Sequence, residues 1–273
     1  MKSLETRAKV LADSVSRDGN RLTTLEVTFP RMLLPEFNTH RMFSRNFRSS
    51  RAVPTSKLIK EVRDSPYVPE RFGRNEKGMQ SRNDLGSLED AQARAVWLEA
   101  SESACKLAEQ LAAIGVHKQW VNRLLEPYMH VHGVVSSTEW ANFFDQRDHP
   151  DAQPEIRKLA QVMKEAIYSS VPEHTNWHLP YLTAEEKAQL EKPTAMAVSA
   201  ARCARVSYTP FNSSTASMEE DLRLYNDLVQ ANPPHLSPLE HPSMGAGMHR
   251  SNYTGWDQFR HMTWMNGGQT KLD

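Results

Sequence analysis

Between Asn38 and Arg51 the chain places Arg41, Arg45, Arg48 and Arg51 among Ser44, Ser49 and Ser50. Such a density of donors suits an anion. A guanidinium fork matches two phosphate oxygens, and short hydroxyls beside free backbone N–H groups complete an anion pocket. A solvated basic helix face would also be rich in arginine. It would have little use for the interleaved serines and asparagine, which are mediocre helix formers and favour turns and caps, so the pattern favours a pocket. Any anion binding must be local. Lys plus Arg and Asp plus Glu number 33 each, leaving no overall field for nucleic acid polymers or anionic membranes. A second group is His130-Val-His132 with His117 and His149. No Cys or His partner stands at a zinc-like spacing, so no metal is expected.

The arginine run resembles the signature of the flavin-dependent thymidylate synthases (the ThyX, or thymidylate synthase complementing protein, family), Arg-His-Arg-x-x-Ser-x-Asn-Glu-x-Ser-x-Arg. His40, Arg41, Ser44, Asn46, Ser49 and Arg51 stand at matching positions. Thr39 replaces the first arginine and Phe47 the glutamate. A second segment, Asn142-Phe-Phe-Asp-Gln-Arg147 followed by Ala152-Gln153-Pro-Glu155-Ile156, resembles the family's Asn-Phe-x-x-x-Arg-x-x-x-x-Ala-Gln-x-Glu-Ile. A third is displaced. Ala204-Arg205-Val206-Ser207-Tyr208 and His235-Leu-Ser237-Pro-Leu-Glu240-His241 are similar to motifs that precede the arginine signature in typical members. Here they follow everything else, so the chain looks circularly permuted. Permutation is physically reasonable when the original termini lie close together at the surface.

The resemblance, to a divergent and phage-like member, implies an α+β fold: one ThyX-like domain over 1–273. Its nucleotide half would be 21–169 and its flavin and folate half 194–273. It implies FAD as cofactor, NADPH and 5,10-methylenetetrahydrofolate as co-substrates, dUMP as substrate, and a homotetramer with shared active sites. Arg147 would be the catalytic residue, contacting and activating the pyrimidine. Arg48, Ser49, Ser50, Arg51 and Arg123 would hold the nucleotide, with Glu36, Thr39 and Phe47 on the same side. His40, Arg41, Ser44, Asn46, Asn142, Ser207, His235, Ser237 and Glu240 would face the cofactor. Ser136 and Thr138 fall where the family has an Asn-x-Arg flavin contact. The departures at Thr39, Phe47, Ser136 and Thr138 leave two alternatives open: a pyrimidine-nucleotide hydroxymethylase, or a nucleotide-binding homologue without catalysis. Glu36 or Glu139 is a candidate to replace the carboxylate lost at Phe47.

The chemistry suits these residues. Methylating C5 of a uracil requires activating a weak carbon nucleophile and then reducing the new exocyclic carbon. One route adds an enzyme thiolate at C6. Cys105 and Cys203 both fall within helical patterns, and neither precedes the proline usual beside that thiolate. The other route uses reduced flavin and electrostatic activation, for which a fixed guanidinium such as Arg147 is apt.

Several elements must position these side chains. Residues 22 to 29 alternate as a half-buried strand ending at Pro30. Residues 65 to 87 lack a sustained period and read as an irregular connection. Ser87 is expected to cap a helix through Ile114, with Ala93, Trp97, Ala100, Ala104, Leu107 and Leu111 on its apolar stripe. A shorter helix is expected over His117 to Leu125. Ser136-Ser-Thr-Glu139 has the spacing of a capping box. Asp151 to Ser169 is helical by period, Thr183 and Thr194 are candidate N-caps, and Met218 to Ala231 forms a further helix stopped by Pro233-Pro234. Two cysteines cannot make a disulfide framework, which fits a reducing, cytoplasmic setting, and the charged first 20 residues do not resemble a signal peptide.

Overall fold

In the computed structural model, which describes residues 5–206, 216–246 and 252–265, strands β1 (Arg7–Val15) and β2 (Arg21–Pro30) form an antiparallel hairpin. Gly19, at φ 81°, makes its turn possible without a Cβ penalty. With β3 (Ser44–Phe47), β4 (His130–Ser137) and β5 (Glu173–His174) they build a five-stranded sheet in the order β3-β4-β2-β1-β5. Only the short β5 pairing with β1 is parallel. Strand periodicity divides the two faces chemically. Leu25, Val27 and Phe29 of β2 and Val131 and Val135 of β4 are buried against one helical layer, whereas Thr24, Glu26, Thr28, His132 and Ser136 alternate with them.

The apolar face packs on α5 (Ala141–Arg147) and α6 (Pro154–Tyr168), behind α1 (Leu34–Phe37). Ile156, Leu159, Met163 and Ile167 of α6 are buried, as their spacing predicts, and each such side chain contributes roughly 1.5–3 kcal/mol. Helices α2 (Thr55–Asp64), α3 (Ser87–Ala113) and α4 (Lys118–Val121) form a separate cluster around Leu58, Ile59, Val62, Cys105, Ala108 and Leu125. The C-terminal layer comprises α7 (Ala184–Gln189), α8 (Lys192–Arg205), α9 (Met218–Gln230) and α10 (Phe259–Met265). A small sheet β6-β7-β8, of Trp177–His178, Ser243–Gly245 and Trp256–Gln258, accompanies them. Alanines on α8 let α9 approach closely, and the fully buried Asp221 of α9 is held there by Arg202 and Arg205.

The fold is α+β, as read from the sequence, but local expectations change: β2 is buried on both faces, not half-buried, and Gly86, not Ser87, is the N-cap of α3. The fully buried residues of α3 are Ser101, Cys105 and Ala108, with Ala104 and Leu111 of the expected stripe packed beside them, while Leu107 is 53% exposed and Ala100 is also exposed. Ser136 and Ser137 end β4, where ladder pairing outweighs the capping-box spacing; α5 begins later, after Trp140. Thr194 lies inside α8, which Glu191 and Pro193 start. His117 caps α4, which yields to a 3-10 turn over Asn122–Tyr128 because Pro127 cannot donate. The Thr183 cap and the helix from Met218 are as expected. No helix among the described residues is long and apolar enough to cross a membrane.

Candidate active site

The arginine run is not one continuous helix face. The loop from α1 turns at Asn38–Met42, enters β3, and leaves through a 3-10 turn at Ser50–Ala52. Arg45 fastens the loop internally, donating to Asn38 Oδ1 and to the carbonyls of Asn38, His40 and Phe43. Phe47 packs edge-on against Phe29 and Phe37, and Gly133 opposite it is required because a Cβ there would lie 2.0 Å from the ring. Phe47 thus belongs to an aromatic cluster where a carboxylate would be costly. Glu36 has a buried Oε2 without a partner among the described residues, and Glu139 accepts from Thr254 at 3.4 Å.

Arg147 closes α5. Its Nε donates to His40 Nε2 at 2.9 Å, joining the first and second motifs across 107 residues. The imidazole, 7% exposed, sits edge-on to Phe143 and stacks on Phe43. Burial, reinforced by the positive charges of Arg147 and Arg45, lowers its pKa. His40 is therefore a neutral acceptor that orients Arg147 without competing for its charge. The terminal nitrogens of Arg147 have no partner among the described residues. Asn142, one turn back on α5, is exposed and accepts from Gln146, while Arg41 and Thr39 are exposed on the loop.

A cavity of about 440 Å³ lies between β3 and the C-terminal layer, lined by Asn46, Ala204, His235, Ser237 and Arg260 among prolines and leucines. Residues from three separate sequence motifs meet there. Asn46 Nδ2 donates to the Cys203 carbonyl, fixing β3 to the end of α8. Arg260 pairs with Glu240 at the rim, a partner that no sequence motif announced. Behind the cavity, Ser44 accepts from Gln258 at 2.8 Å and from Asn252 at 3.4 Å. The Tyr253 hydroxyl donates to the Glu240 carbonyl and also bonds with Ser44 and Ser136. Thr138 accepts from the Thr254 N–H. Ser207 lies outside the described residues.

The remaining candidates are occupied differently. Arg48, 5% exposed, makes a bidentate pair with Glu61, both bonds 2.9 Å. Ser50 Oγ donates to Glu126 at 2.5 Å, beside Arg31 at 3.0 Å, and Arg123 lies 4.0 Å from the other oxygen of Glu126. Ser49 is half-buried and Arg51 exposed. Arg31 and Glu126 were invisible to motif reading. His130 and His132 lie away from this cavity: His130 lies edge-on to Tyr67 and His132 bonds Thr28, and burial lowers both to about 4.

A family model described as thymidylate synthase complementing protein matches residues 22–173. That span holds the arginine run and the Arg147 segment, while the 235–241 motif lies beyond it. Among solved structures, a UMP/dUMP methylase PolB from Streptomyces cacaoi, bound with 5-Br dUMP, aligns at 18% identity and a TM-score of 0.48, over 60% of this chain and 90% of that one. The same protein with 5-Br UMP gives 0.49 at 18% identity, over 60% and 89%. Thymidylate Synthase X from Helicobacter pylori, with FAD and dUMP, gives 0.37 at 18% identity, over 54% and 67%. Among curated proteins none matches.

Proposed function

The chain belongs to the thymidylate synthase complementing protein family, and from that premise we propose that it is a flavin-dependent thymidylate synthase, methylating C5 of dUMP to give dTMP. The carrying observation is the meeting of Asn46, Ala204, His235 and Ser237 at one cavity, with Arg147 held by His40 on the neighbouring loop. The donors of Asn46, His235, Ser237 and Arg260 fit the polar edge of a flavin, and the cavity volume falls in the range of small-molecule sites. FAD, when bound, supplies the hydride; NADPH renews it and methylenetetrahydrofolate supplies the carbon. Arg147, whose terminal nitrogens have no partner among the described residues, stabilises negative charge developing on the pyrimidine ring. Arg51 and Ser49 hold the phosphate, with Arg123 and Ser50 able to join if Glu126 yields. The two halves, 21–169 and 194–273, form one permuted domain that works in the cytoplasm as a homotetramer.

Phe47 favours a second reading. Its aromatic packing removes a carboxylate that family members place beside nucleotide and flavin, and a pyrimidine-nucleotide hydroxymethylase would let water finish the reaction. Incubating the purified chain with FAD, NADPH, dUMP and methylenetetrahydrofolate, then weighing the nucleotide by mass spectrometry, decides. A methyl adduct is expected. A hydroxymethyl adduct selects the second reading, and a protein that cannot take up FAD overturns both.

A further inference from the structure

Five buried side chains form an unbroken hydrogen-bonded line along one face of the sheet, from β1 across β2 to β4. Ser14 Oγ lies 2.9 Å from His178 Nδ1, His178 Nε2 2.7 Å from Thr24 Oγ1, Thr24 Oγ1 2.5 Å from Ser136 Oγ, and Ser136 Oγ 2.8 Å from His241 Nδ1. Ser14 is 2% exposed and the other four 0%. The line ends on an orphan: His241 Nε2 is buried without a partner among the described residues. A buried polar atom without a partner is costly, so its persistence asks for a reason. His241 directly follows the 3-10 turn of Ser237–Glu240, and Ser136 faces Tyr253 behind the cavity.

Both rings are neutral at ordinary pH, because burial lowers each to about 3; Lys187 and Asp13 are the charged side chains that act on His178. A neutral ring carries one N–H and each hydroxyl one proton, so the line has two self-consistent polarities. In the first, Ser14 donates to His178, His178 to Thr24, Thr24 to Ser136 and Ser136 to His241 Nδ1, leaving a proton on His241 Nε2. In the second every bond is reversed and His241 Nε2 is a bare acceptor. Tyr253 spends its proton on the Glu240 carbonyl, so it brings no further proton to the line at Ser136.

We infer that Ser14, His178, Thr24, Ser136 and His241 constitute a neutral proton relay that presents His241 Nε2 to a bound ligand as donor or acceptor, its polarity set from the β1 end of the line. Converting the first polarity to the second passes one proton along each link. One proton leaves from His241 Nε2, one enters at Ser14 from the surrounding medium, and no O–H or N–H is lost in sum. No buried imidazolium forms, which avoids its desolvation cost. If the proposed function holds, the ligand served is the cofactor or the nucleotide.

Nitrogen-15 NMR of histidine-labelled, ligand-free chain tests the relay, with the rings assigned through His178→Gln and His241→Gln. Thr24→Val deletes one hydroxyl at nearly constant volume and does not touch His241. It is expected to change the His241 tautomer ratio severalfold, while Thr24→Ser keeps the wild-type ratio. Ser136→Ala, a second cut in the line, is expected to change the tautomer of His178, which it does not touch. Unchanged ratios in both variants, equal changes in Thr24→Ser, or an imidazolium at neutral pH would overturn the relay. No substrate is used, so failure here is separate from failure to convert dUMP.

Discussion

Two arginine-bearing regions of this molecule use the same side chain to opposite ends. At the α5 corner, Arg147 spends one N–H on a neutral histidine, and its terminal nitrogens have no partner among the described residues. At the β3 exit, Arg48 is locked bidentate to Glu61, while Arg31 and Ser50 converge on Glu126. The difference is in the partner. A neutral acceptor orients a guanidinium without cancelling its charge, whereas a carboxylate consumes both donors and charge. An arginine that is to act on a ligand should resemble the first kind, and one that holds the fold together the second.

The sharpest way to break this contrast is Arg147→Ala. Turnover is expected to fall by a factor of at least about 100 with flavin absorbance retained, since a preorganised donor to developing charge is lost. A retained rate would remove Arg147 from the chemistry. Acid comes next. Burial depresses His40, His130, His132, His178 and His241, so below about pH 6.5 the unfolded chain takes up protons that the folded one refuses. Stability therefore is full above that pH and is lost as pH falls toward the folded values near 4 and 3. Glu26, whose carboxyl is raised by burial, works in the opposite sense but is one group against five. Denaturant midpoints measured at about pH 7.5 and about pH 5 should show the loss.

Arg48→Ala probes the other region. It should cost about 2 kcal/mol in chemical denaturation, below the range for wholly buried pairs because Glu61 is 35% exposed. Ser50→Ala should cost about 1 kcal/mol by freeing one acceptor of Glu126. The exposed Arg51 offers the smallest structural effect: Arg51→Ala should leave stability within about 0.5 kcal/mol while raising the KM for dUMP. A stability loss at Arg51 as large as that at Arg48 would erase the distinction between the two regions.

Much of this was legible in residue order. The β2 strand, the periodicity of α6, the cap at Thr183 and the helix from Met218 are local signals that tertiary packing left in place. Asn46 belongs to one motif and His235 and Ser237 to another, and the fold brings them to one cavity. What escaped is relational. Arg31, Glu126, Tyr253 and Arg260 carry no spacing signature, because their role depends on partners tens to hundreds of residues away. Ser136 read as part of a cap because sequence cannot show that β2 and β3 flank it on both sides. On α3 the expected stripe held at Ala104 and Leu111 and failed at Ala100 and Leu107, because Ser101, Cys105 and Ala108 take the buried line.

The central claim is that the new methyl group at C5 is completed by flavin hydride. A single turnover of flavin-loaded chain with dUMP and methylenetetrahydrofolate, reduced chemically in heavy water, tests it most directly, since the reactive flavin hydrogen exchanges with solvent. The account predicts dTMP whose methyl carries solvent-derived deuterium. An unlabelled methyl, or dUMP recovered unchanged from fully loaded protein, would contradict it.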